Sequence, residues 1–186
     1  LMVTRASTPF LPPAIAEKAQ ASDPTKVARN QALSDYLSQR PMTVFIGAWW
    51  SAYLKSEHYQ RYFVDTIGWL KAHGHTVIVM EDVPELPSSS YAECLLKNMD
   101  DCSISAEDVK KSLANFYRFK QNAQQRYPDV QWINPRKVLC DATRCQTVLN
   151  GIPLYRDESH LNNVGGIEIG QEYLKRFGNP LTSSEK

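Results

Sequence analysis

Thr43-Val44-Phe45-Ile46-Gly47-Ala48-Trp49-Trp50 is the stretch on which the reading of this 186-residue chain turns. A near-continuous apolar run of that length is the signature of a strand covered on both faces. Thr76-Val77-Ile78-Val79-Met80 repeats the pattern, Gln131 to Asn134 supplies a third strand, and Leu1 to Thr4 reads as a strand stub. Between these runs lie helical patterns. Asp23-Pro24 opens a helix over Thr25 to Gln39, and Glu57 to Ala72 is amphipathic and closed by Gly74. Ser105, with Asp108 three residues on, caps a helix that runs to about Arg126. The last helix, Gly165 to Phe177, stops at Gly178 and Pro180. Strands alternating with helices of this length predict an α/β fold: a three-layer sandwich whose mostly parallel sheet carries helices on both faces.

The remaining segments read as connections. Pro12-Pro13 predicts that Pro9 to Pro13 is a loop without regular structure. A long loop with Pro84, Pro87 and Ser88 to Ser90 follows the second strand. Asn150-Gly151, inside Gln146 to Tyr155, predicts a tight hairpin with a type I′ turn. No internal repeat, low-complexity tract or interdomain linker interrupts the chain, so residues 1–186 are expected to form a single domain. In such folds chemistry sits at the carboxyl ends of the strands, here near Thr4, Trp50, Glu81 and the loop after Asn134.

Composition narrows the class. Lys+Arg 21 against Asp+Glu 20 leaves a net charge of +1, so no basic surplus points to nucleic acid. The longest apolar run falls well short of the roughly 20 residues that a membrane helix needs, so the domain itself is not expected to span a bilayer. The start, Leu1-Met2-Val3-Thr4-Arg5, has no initiator Met and no signal peptide. The chain is therefore expected to be a piece, or the processed end, of a longer polypeptide.

The four cysteines fall into two close pairs. Cys94 and Cys102 bracket a polar stretch, and so do Cys140 and Cys145. Two local disulfides, each worth about 2–3 kcal/mol by loop entropy, fit better than four reduced core thiols. A zinc site fits less well, because no C-x-x-C is present. Two disulfides imply an oxidising compartment.

The common catalytic signatures are missing. The sequence contains no G-x-S-x-G, H-E-x-x-H, G-x-G-x-x-G or Walker loop. What remains is Leu154-Tyr155-Arg156-Asp157-Glu158-Ser159-His160-Leu161-Asn162, in the loop before the last helix. Asp157 and His160 are three residues apart, which in a turn puts both side chains on one side. The carboxylate then accepts from Nδ1–H of the imidazole and leaves Nε2 free as a base. Alone, such a pair is as consistent with a surface Asp in a capping loop.

Its surroundings sharpen it. The series Leu139-Cys140, Cys145, Gly151-Ile152-Pro153-Leu154-Tyr155-Arg156-Asp157, His160-Leu161 and Gly165 resembles the end of an SGNH hydrolase-like domain. More closely, it resembles the extracytoplasmic SGNH domain fused to membrane acyltransferases of the acyltransferase-3 family, which O-acetylate cell-surface polysaccharides such as lipopolysaccharide. Trp50 and Tyr53 after the first long strand, and Cys94-Leu95 with Cys102, are similar to further family segments. The family's nucleophile lies in Gly-Asp-Ser-His, a tetrapeptide absent from this sequence and expected upstream of Leu1. Trp49 stands where a small residue or Arg is usual, Asn162 where Ser is commoner, and no Asn within Thr43 to Tyr53 matches the superfamily's oxyanion Asn.

The resemblance implies acyl transfer through a serine ester, without cofactor or metal. Asp157 orients His160, and His160 takes the serine proton and later activates the acceptor hydroxyl. It implies an acetyl donor delivered by a membrane acyltransferase domain and a polysaccharide acceptor. The domain would be periplasmic, tethered to the inner membrane through the longer protein. Trp50 and Tyr53 would face sugar rings, although core packing explains them equally well. Ser51, directly after the strand, is the in-chain serine at a strand end. Ser159 sits beside His160, where side chains usually diverge. His58, His73 and His75 flank a helix and read as solvated. Two other functions fit: an esterase or deacetylase that uses water, and a catalytically silent glycan-binding module.

Overall fold

The computed structural model describes residues 9–86 and 102–182. The strand stub Leu1 to Thr4, Pro87 and Ser88 to Ser90, and Cys94 lie outside the described residues. The fold is α/β. Among the described residues its main sheet has three strands in the order β1-β2-β4, built from β1 (Thr43–Ile46), β2 (Thr76–Met80) and β4 (Gln131–Ile133). β1 and β2 run parallel, with Thr43 opposite Thr76 and Ile46 opposite Val79.

Two compact units divide the chain. The first holds the described residues up to Met80 together with Asn115–Trp132. Its helices are α1 (Pro13–Ala19), α2 (Pro24–Leu37), α3 (Trp50–Tyr53), α4 (Glu57–Ala72) and α6 (Ala114–Arg126). Asp23 caps α2 by accepting from the Lys26 N–H. The core is aromatic: the Trp50 ring lies 4.8 Å from Phe63, 5.4 Å from Phe119 and 6.0 Å from Phe116, centroid to centroid. Leu54, Ile67, Leu70 and Ile78 are buried with them. Buried side chains of this size each stabilise by roughly 1.5–3 kcal/mol.

The second unit holds Glu81–Ala114 and Ile133–Lys186 within the described ranges. It contains β3 (Ile104–Ser105), α5 (Ala106–Ser112), α7 (Arg136–Leu139), β5 (Arg144–Cys145), β6 (Val148–Leu149), β7 (Ile152–Pro153) and α8 (Asn163–Phe177). Val138, Leu139, Leu149, Leu154, Tyr155 and Ile169 form its core cluster. Asn150 at φ 50° and Gly151 at φ 77° join β6 to β7, the paired positive φ of a type I′ turn, as expected from the dipeptide. Cys140 and Cys145 are disulfide-bonded, and Cys102 is also in a disulfide.

Four sequence expectations are corrected. Pro9 to Pro13 is not all loop: Pro13 opens α1 at its first position, where a missing N–H costs nothing. β1 ends at Ile46 and is not covered on both faces, since its residues alternate exposed and half-buried and Phe45 is 48% exposed. The strand buried on both faces is β2, in the middle of the sheet, with Val77, Ile78 and Val79 all buried. The helix expected from Ser105 to Arg126 is two helices, α5 and α6. They break at Leu113, which caps the end of α5, just after Ser112, whose hydroxyl donates to the Val109 carbonyl. His75 is not solvated: it is 1% exposed, and its Nδ1 accepts from the Met42 N–H.

Candidate active site

The loop between β7 and α8 closes on itself by three backbone contacts. Leu154 accepts from Asn162 N–H at 2.9 Å, Tyr155 bridges Leu161, and Arg156 N–H donates to His160 O at 2.8 Å. The tip of the loop is Asp157 to Ser159. Asp157 Oδ1 accepts three hydrogen bonds there: from Ser159 N–H at 3.1 Å, from His160 N–H at 2.8 Å and from His160 Nδ1 at 2.8 Å. The Ser159 backbone N–H first, and the His160 imidazole second, hold the Asp157 carboxyl far below the usual carboxylate range. It is therefore a permanent anion at neutral pH. A neutral imidazole hydrogen-bonded to it through Nδ1 carries its proton there and its lone pair on Nε2.

Nε2 has no hydrogen-bond partner among the described residues, and the His160 side chain is 61% exposed. It is thus open to a reacting group. Ser159 Oγ lies 3.3 Å from the imidazole, but on Nδ1, the side already taken by Asp157. A nucleophile served by this histidine must approach Nε2, so Ser159 is on the wrong edge of the ring.

Asn162 ties the loop to the helix. Its Oδ1 caps α8 by accepting from Gly165 N–H at 2.7 Å, while its Nδ2 donates to Pro153 O at 2.8 Å. Gly165 is there for space: a Cβ would stand 2.6 Å from the Leu154 Cα. A cleft of about 510 Å³ borders the loop, with Ile152, Pro153, Leu161 and Val164 as its apolar lining and Arg156 and Asn162 among its polar groups.

The other expected site residues belong to the first unit. Trp50 is fully buried, with Nε1 donating to Met80 O at 2.7 Å, so no ring face is left for a sugar. Tyr53 is half-buried and packs on Tyr59 at 5.2 Å. Ser51 is buried on α3. The exposed ring of this segment is its neighbour Trp49, at 52%. Of the histidines, His58 is exposed, and His73 is half-buried with its ring 3.9 Å from Trp69. Sequence reasoning did not assign a role to Asn162. The signal was present in its place just before an apolar helix, the usual position of a capping Asn.

Among the described residues no group of three or more His, Cys, Asp or Glu is arranged to hold a metal ion. No described helix is long and apolar enough to cross a membrane.

The described fold is thus α/β, and an Asp–His pair stands in the loop before the last helix. The family profile described as "SGNH domain (fused to AT3 domains)" matches residues 1–175, and the chain belongs to that family. No curated protein matches the chain, and no solved structure does. Family membership supports an esterase or acyltransferase type of enzyme.

Proposed function

We propose that the domain transfers acetyl groups to sugar hydroxyls of a cell-surface polysaccharide. The observation that carries this reading is the 2.8 Å contact between Asp157 Oδ1 and His160 Nδ1, with Nε2 left open. In the proposed reaction His160 Nε2 takes the proton of a serine hydroxyl as that oxygen attacks the acetyl carbonyl. The donor's leaving group departs with that proton. His160 then takes the proton of the acceptor hydroxyl, and the sugar oxygen displaces serine from the ester. Asp157 stabilises the imidazolium in both half-reactions.

The acetyl donor is delivered by the AT3 membrane domain to which this family's SGNH domains are fused. The acceptor sugar lies in the cleft beside Arg156, and the disulfide-bonded cysteines suit the periplasm. The serine is the family's, in a Gly-Asp-Ser-His segment that residues 1–186 do not contain. The unused position at Nε2 supports a catalytic site over a silent glycan-binding module.

The test is acetyl transfer to polysaccharide by the protein that joins this chain to its AT3 domain, measured beside His160→Ala. Loss of transfer in the variant supports the reading, and unchanged transfer overturns it. Covalent labelling with a serine-directed fluorophosphonate, followed by peptide mapping, then locates the nucleophile. Acetate release from the acetyl donor that is as fast without polysaccharide as with it, and with no acetyl on the sugar, would favour the esterase.

A further inference from the structure

The Asp157–His160 pair sits on an exposed loop tip, where an ion pair by itself is worth little and its geometry is easily lost. Yet two hydrogen bonds reach this loop from more than seventy residues away in sequence, both from one short segment. The Tyr155 hydroxyl donates to Pro84 O at 2.7 Å, and Leu86 N–H donates to Glu158 O at 2.7 Å. They grip the loop on either side of Asp157. The segment, residues 81–86, is itself pinned. Glu81 N–H donates to Ile133 O at 2.9 Å. Arg136 forks across its start, with Nη2 on Glu81 Oε2 and Nη1 on Asp82 O, both at 2.5 Å. Glu81 and Arg136 are 3% and 5% exposed, and Val83 and Leu86 pack on the core cluster that contains Tyr155.

We propose that residues 81–86 are a positioning strap for the catalytic pair, anchored on Arg136 and coupled to the loop through the Tyr155 hydroxyl and the Glu158 carbonyl. The strap carries no reacting group. It removes the loop freedom that would otherwise spread Asp157 and His160 over many arrangements, so that the pair is already aligned when substrate arrives. Tyr155 is the separable element. Its ring is core, 2% exposed, and would stay so in Tyr155→Phe, while the hydroxyl alone makes the bond to Pro84. The proposal rests on the acyl-transfer reading for its catalytic meaning, but not for its physical content.

The experiment follows backbone hydrogen exchange by NMR in the 186-residue chain and acetyl transfer in the protein joined to its AT3 domain. Ser159 and His160 donate their amides to Asp157, so their exchange reports the alignment of the pair. In Tyr155→Phe their exchange should rise about tenfold, while Val77 to Val79 in β2 exchange as before. In the same variant kcat should fall roughly tenfold with KM within twofold, because alignment and not binding is lost. Arg136→Lys, which keeps a cation beside Glu81 but loses the fork, should show the same local pattern more weakly. Tyr173→Phe, in a tyrosine packed on the same core cluster, should show none of it. Unchanged exchange at Ser159 and His160 in a folded Tyr155→Phe overturns the strap, and so does a rise spread evenly over the chain. If the local rise is present but His160→Ala transfers normally, the strap stands and the transfer reading falls.

Discussion

Asp157 Oδ1 holds both the backbone N–H and the side-chain Nδ1 of His160, each at 2.8 Å. The two contacts work differently. The backbone bond fixes where the residue begins, and the side-chain bond fixes which way the ring turns and which nitrogen is protonated. An Asp–His spacing of three residues achieves both only in a tight turn, which the hydrogen bond from Arg156 N–H to His160 O supplies.

Asp157→Asn keeps an oxygen for the two backbone donors but removes the charge that stabilises an imidazolium. Acetyl transfer should fall about 10²–10⁴-fold while the loop stays folded. The wild-type carboxyl is held below its ordinary range, so its contribution is present above the unfolded carboxylate pKa of about 3.9 and is lost only as pH falls towards the lowered value. The acid limb of the pH–rate profile should therefore not be the titration of Asp157. A limb that moved with substitutions tuning this carboxyl alone would contradict that assignment.

Gly165→Ala tests the packing under the loop. The added methyl meets the Leu154 backbone, which cannot swing aside as a side-chain tip would. Destabilisation of about 1–3 kcal/mol is expected by chemical denaturation, with transfer reduced further because Leu154 leads directly into the Asp157 loop. Gly166→Ala is the control, since a Cβ there meets nothing within 4 Å and the substitution should be neutral or stabilising. Equal losses in the two variants would mean that helix propensity, not close approach, governs the site.

How much of this was legible in the sequence follows from the range of each interaction. Glu57–Ala72 and Thr76–Met80 were read to their end residues because caps and apolar periodicity are local. The Asn150-Gly151 turn and the Asp157–His160 pair were legible for the same reason. Trp50 was not placed, because a strand-end aromatic reads alike as core or as a sugar platform. Phe116 and Phe119, which enclose it, lie more than sixty residues away. Among the described residues β1 stands at the end of the order β1-β2-β4, a place that composition does not encode, and its side chains are half-buried or exposed. The Glu81–Arg136 fork was equally hidden: neither residue belongs to a motif, and only the fold brings them together.

The Cys140–Cys145 disulfide closes a loop of six residues ahead of the β6–β7 hairpin. Its removal by Cys140→Ser with Cys145→Ser should cost about 2 kcal/mol on the loop-entropy model. Cys145 is also 1% exposed and pairs with Ile104, so its sulfur is part of a packed strand as well as a crosslink. Cys140→Ala with Cys145→Ala removes the same bond without placing a hydroxyl in the strand, and should lose a similar amount. A serine pair much less stable than the alanine pair would show that serine in this buried place, and not the missing bond, carries the cost.

His75 sets an acid limit on the fold. Its ring is buried and takes the Met42 N–H on Nδ1, an arrangement open to the neutral imidazole alone. Burial first, and the nearby His73 second, lower its pKa below the ordinary 6.5. The folded state thus binds its proton less readily than the unfolded state does. The stabilisation is complete above about pH 6.5 and is lost progressively as pH falls towards the lowered folded value. Urea midpoints should therefore drop between pH 7 and pH 5. His75→Asn offers a carbonyl oxygen to the same Met42 N–H and cannot be protonated. Its midpoint should be lower than wild type at pH 7, through lost packing, but flatter across this window. A wild-type slope retained in His75→Asn would move the acid sensitivity to another group.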